Sequence, residues 1–166
     1  MAGSAGDNRY LGIYLNDHLA GAAGGLELAR RLRSSNEGDP VMGEPLARIC
    51  AEIEADHETL VRLTEWLGIR RDPLKPKLAI VAERLGRLKP NGQLRGYSPL
   101  SRVLELEILA AGIGGKLQLW NSLEETFGDT LDGFDFHALA ERADRQGQEV
   151  EDLHMAAANR AFVQQG

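Results

Sequence analysis

Two short motifs carry the residues best suited to chemistry. Glu54-Ala-Asp-His57 and Glu151-Asp-Leu-His154 each place a carboxylate and an imidazole three residues apart, and they use two of the chain's four histidines. In a helix that spacing is nearly one turn, so both side chains project from adjacent parts of one face. At about 100° per residue, His57 and His154 each lie about 40° from the apolar stripe of their segment, with Glu54 and Glu151 at its edge. An apolar residue, Ile53 or Val150, precedes each motif. Carboxylates and neutral imidazoles in such positions are ligands for a divalent cation: the carboxylates bridge and neutralise the ion, and the imidazole nitrogens fix its coordination. Glu107 adds a third element. Val103, Leu104, Ala110, Ala111 and Gly114 flank it, so it is expected to point into or along the core, where a carboxylate needs a partner. Glu105, on the other side with Lys116, is expected to be solvated. The metal-free reading of the same residues is two histidines at the core's edge, each paired with a nearby acid.

The elements that must position these groups are all helical. Apolar residues recur at three and four rather than at two, and aromatic residues are only 5% of the chain. A first long helix is expected from about Asn8 to Ser34, ended by Ser34-Ser35-Asn36-Glu37-Gly38-Asp39-Pro40. A second spans about Glu44 to Leu67, with Pro45 in its first turn and Gly68 as its stop. A short helix follows from about Pro73 to Leu88. A third long helix opens at Ser98-Pro99 and runs to about Phe127, and a fourth covers about Phe134 to Phe162. Residues 1–7 read as a disordered arm, and residues 70–98 as a basic crossover segment within one domain.

Two long helices, a long connection and two more long helices is the order of an antiparallel bundle with one crossover. With Glu54/His57, Glu107 and Glu151/His154 in that order, the chain resembles the ferritin-like di-iron carboxylate superfamily. That resemblance implies an all-α four-helix bundle with the short helix crossing between the second and third long ones. It also implies iron or manganese held by Glu54, His57, Glu107, Glu151, His154 and a first-helix Glu, for which Glu27 has the right level. Glu27 lies about 120° from the Leu15–Leu26 stripe, so this ligand departs from the pattern. The stretch Tyr14-Leu15-Asn16-Asp17-His18-Leu19-Ala20-Gly21 also resembles small bacterial helical proteins without an assigned activity.

Charge and composition bound the remaining functions. The chain has 166 residues and a net charge of -6, so bulk charge makes no case for nucleic acid as a partner. Residues 70–102 carry nine basic and two acidic side chains, a net of +7, which leaves -13 for the rest. Cys50, the one cysteine, reads as an inert core residue, and His18 as structural. No Ser-His-Asp or Cys-His arrangement is supported, so no catalytic residue is assigned. Gly21-Ala-Ala-Gly-Gly25 and Ala110-Ala-Gly-Ile-Gly-Gly115 are expected to let the first and third long helices approach closely, or else to leave a cavity beside the carboxylates. The leading functional reading is a ferritin-like bundle that binds or self-associates as a homo-oligomer without catalysis. A metal-dependent oxidoreductase or iron-handling protein is the alternative. A third reading makes residues 70–102 a docking surface for an anionic membrane or an acidic partner. With no signal peptide visible at the N-terminus, the expected location is cytoplasmic.

Overall fold

The computed structural model describes residues 8–71, 97–128 and 130–163. These form four long helices: α1 (Asn8–Ser35), α2 (Gly43–Trp66), α3 (Pro99–Phe127) and α4 (Phe136–Val163). No strand occurs among the described residues. The expected arm at 1–7 and the short helix at Pro73–Leu88 lie outside the described residues, as does most of the basic crossover segment. No helix among the described residues is long and apolar enough to cross a membrane.

Local chemistry sets the helix ends. The α1–α2 turn is built on Asp39. Its Oδ1 accepts the backbone N–H of Val41 at 2.9 Å and of Met42 at 3.1 Å, and its Oδ2 accepts from Arg160 at 2.7 Å. At the end of α2, the Gly68 N–H donates to the Glu65 carbonyl and the Ile69 N–H to the Thr64 carbonyl. This closing pattern needs a left-handed residue at its turn, and Gly68 supplies it at φ +65°. Ser98 caps α3 by accepting the Ser101 N–H at 3.0 Å, with Pro99 behind it. Asp135 accepts the Ala138 N–H at 2.8 Å, which starts α4 two residues later than Phe134, the start expected from sequence.

Two apolar clusters make the core. One joins the end of α1 (Leu26, Leu28, Leu32), the start of α2 (Leu46, Ile49, Ile53), the start of α3 (Val103, Leu106, Leu109, Ile113) and the end of α4 (Val150, Leu153, Ala157). The other joins the start of α1 (Leu15, Leu19), the end of α2 (Leu60, Leu63), the end of α3 (Leu119, Trp120, Leu123) and the start of α4 (Phe136, Leu139, Ala143). α1 and α4 therefore run one way, and α2 and α3 the other. The chain leaves α2 at one end of the molecule and enters α3 at the opposite end. Each fully buried Leu in these clusters stabilises the fold by roughly 1.5–3 kcal/mol.

Candidate functional site

The six residues expected as metal ligands fall into two groups. On the α1–α2 side, Arg30 takes both carboxylates. It donates to Glu54 and, at 3.2 Å, to Glu27. A guanidinium thus supplies between Glu27 and Glu54 the positive charge that an ion would have supplied. His57 is half-buried on the same side. Burial first, then the neighbouring positive charges of Arg30 and Arg71, hold its imidazole below the usual pKa. On the α3–α4 side, His154 Nε2 lies 3.1 Å from Glu107 Oε1, and Glu151 borders the same groove. The expected common cluster is not gathered: among the described residues no three His, Cys, Asp or Glu side chains are placed to hold a metal ion.

The physical reason is which residue of each motif turns inward. On α2 the buried positions step through Ile49, Ile53, Asp56, Leu60 and Leu63. Asp56, 2% exposed, takes the interior position, and Glu54 and His57 fall to its two sides. On α4 the inward steps are Ala143, Gln146, Val150, Leu153 and Ala157, so Glu151 is exposed and His154 sits at the edge. On α3 Val103, Leu106, Ile113 and Trp120 are buried as expected, but Glu105 and Leu109 share their side and Glu107 does not. Apolar residues surround much of this helix, including Leu104, Ile108 and Ala111, so their pattern alone does not choose a buried side. Glu107 has a side chain 53% exposed, whereas Glu105, expected in solvent, is fully buried. Glu105 accepts from the Tyr97 hydroxyl at 2.9 Å and pairs with Arg31 at 2.8 Å. Burial pushes its carboxyl above the ordinary range, against the opposing pull of Tyr97 and Arg31.

Sequence reasoning missed a polar layer in the middle of the molecule. Lys116 Nζ donates to Asp56 Oδ2 at 2.5 Å and also to Gln146, while Arg142 donates to the other Asp56 oxygen. Gln146 Nε2 donates to Glu52 Oε2 at 2.8 Å. Burial pulls the Lys116 ammonium below its usual pKa, and Asp56 opposes that shift. The signal was present in the stripes. Each carries one polar residue at the same mid-length step: Ile53-Asp56-Leu60, Ile113-Lys116-Trp120 and Ala143-Gln146-Val150. The layer divides the core into its two clusters. Two carboxylates face two cations there, so it is charge-balanced and closed on itself.

Beside this layer, α3 and α4 leave an open groove of about 480 Å³. Its floor is Ala110, Ile113, Gly114, Leu117, Ala143 and Gly147, and Glu107, Asp144, Gln148, Glu151 and His154 line the rest. The flank of α3 that carries Glu107 and Gly114 thus borders a solvent-facing channel. Five of the six glycines in the two stretches do not serve the close helix approach expected of them. A Cβ built at Gly21, Gly25, Gly112, Gly114 or Gly115 meets nothing within 4 Å. Gly114 of the second stretch and Gly147 of α4 line the groove instead, and no residue of Gly21–Gly25 does. Three acidic side chains and one imidazole around an apolar floor can hold a cation that carries an alkyl arm.

Comparison with protein-family models finds no matching family, and comparisons with curated proteins and with solved structures find no match either.

Proposed function

We propose that this chain is a four-helix bundle of ferritin-like connectivity that works by binding rather than catalysis. The parallel course of α2 and α3, with residues 67–98 between them, supports that connectivity. The observation that carries the functional reading is the α3–α4 groove. It is of ligand-pocket size, has an apolar floor, and is rimmed by Glu107, Asp144 and Glu151. The other polar groups singled out, around Arg30 and around Asp56, are already committed to internal ion pairs. The ligand class that fits is an organic amine: the carboxylates attract the ammonium group, and the Gly/Ala/Leu floor accepts the methylenes.

Calorimetric titration with an alkyl diamine tests this reading. Saturable binding is expected in the wild type. It should be lost in Gly114→Leu, whose side chain fills the groove, and in the double variant Glu107→Gln/Glu151→Gln, with helix content unchanged. No saturable heat in the wild type, or equal binding by both variants, would refute it. Titration with Mn(II) and Fe(II) tests the metal-handling alternative on the same groove. Metal-dependent stabilisation lost in His154→Ala would favour that alternative over the amine.

A further inference from the structure

We infer that the α3–α4 groove recognises a linear diammonium ligand by both of its ends, Glu107 and Glu151 holding one ammonium group and Asp144 the other. The inference rests on the amine reading of this groove and adds to it a ligand length. The groove runs along the two helices rather than across them. Its α4 residues extend from Ala143 to His154 and its α3 residues from Glu107 to Leu117, each run being about 15 Å of helix. The helices are antiparallel, so the two runs face each other in reverse order. The approach of His154 Nε2 to Glu107 Oε1 at 3.1 Å marks one end. Ile113 Cγ2, 3.7 Å from where a Gly147 Cβ would stand, marks the middle.

The acids of the groove therefore divide into two poles. Glu107 and Glu151 stand at the His154 end. Asp144 stands seven residues before Glu151 on α4, two turns away. That spacing returns to nearly the same line of the helix, so the two positions lie about 10 Å apart along the groove. The lining between the poles carries no charge: Ala110, Ile113, Gly114 and Gly147 supply its floor, and a Cβ at Gly114 would meet nothing within 4 Å. Gln148 Nε2 donates to Asp144 Oδ2 at 2.9 Å and holds that carboxylate at its own end. Asp144 and Glu151 have no ion-pair partner among the described residues. Lys116 and Arg142, the cations of the neighbouring polar layer, are engaged by Asp56.

Two separated acidic poles with an apolar stretch between them select a shape. A metal ion or a monoamine reaches one pole only. An extended chain gains about 1.2 Å per bond, so two ammonium groups separated by about seven carbons match both poles, with the methylenes over the floor.

Calorimetry at about pH 8, where an imidazole is uncharged, tests this with heptylamine, α,ω-diaminoheptane, propylamine and α,ω-diaminopropane. Comparing each diamine with the monoamine of its own length removes the contribution of the methylenes. At the heptyl length the second ammonium is expected to raise affinity about fivefold, the upper range for an exposed ion pair, after correction for the two equivalent orientations of a symmetric ligand. At the propyl length it is expected to add nothing after the same correction. Asp144→Asn should remove the gain at the heptyl length and leave heptylamine binding unchanged, with helix content as in the wild type. Glu107→Gln/Glu151→Gln should weaken the monoamine and the diamine alike. An equal gain at both lengths overturns recognition by both ends while the amine reading stands. So does an Asp144→Asn variant that keeps the gain, or one that weakens heptylamine as much as diaminoheptane. No saturable binding of any of these amines removes the amine reading itself, and this inference with it.

Discussion

Replacing Asp56 with Ala should cost far more than its single carboxylate suggests. Asp56 is 2% exposed and is the common acceptor for Lys116 and Arg142, whose side chains are 15% and 29% exposed. Without it, two cations face each other across the bundle centre. Glu52, the remaining acid in the layer, meets the layer through Gln146. Removing one partner of a buried pair typically costs about 3–5 kcal/mol. Arg142 has some access to water and relaxes toward it, so about 3 kcal/mol is expected, out of a total stability on the order of 5–15 kcal/mol. For a chain of this size that is a fall in Tm of roughly 10 °C. Lys116→Met is the informative companion. It removes the cation that burial penalises and leaves Asp56 paired with Arg142, so its cost should stay below about 1 kcal/mol. Urea unfolding followed by circular dichroism measures both. If Asp56→Ala costs under about 1 kcal/mol, or Lys116→Met costs as much as Asp56→Ala, the layer is not a coupled buried network and the reasoning fails.

Two further outcomes are expected. Gly112→Ala and Gly115→Ala fall on helical positions where a Cβ meets open space, so each should stabilise the protein by about 0.5–1 kcal/mol, read as a raised urea midpoint; destabilisation by either would contradict the open surface. The His57 imidazole has its folded pKa lowered from 6.5, mainly by burial, so the unfolded chain binds that proton first as pH falls. His57 therefore contributes a stability that is complete above pH 6.5 and is lost as pH drops toward the folded pKa, and His57→Gln should flatten the stability profile below about pH 6.5 relative to the wild type.

Much of the architecture was legible in the sequence because the relevant signals are local. The Ser98-Pro99 cap, the Gly68 stop and the Ser34–Pro40 turn each act through neighbouring backbone groups, so they specify helix ends wherever the helices pack. The stripes on α2 and α4 were legible because polar residues on their other faces leave one apolar side. On α3 Val103, Leu106, Ile113 and Trp120 are buried as their spacing implies, but apolar residues run around most of the helix, so the places of Glu105 and Glu107 were not legible. Glu107 falls at the groove, and Glu105 falls inside against Arg31 and Tyr97. Spacing likewise identified Glu54, His57, Glu151 and His154 as neighbours along their helices, but it carries no information about what stands across from them. Only the tertiary structure decided that Arg30 occupies the space between Glu27 and Glu54, and that Asp56 rather than its motif neighbours meets the opposing helices. Partners from different helices are set by the rotation and height of each helix, and those are fixed by packing over the whole bundle rather than by any short stretch of sequence.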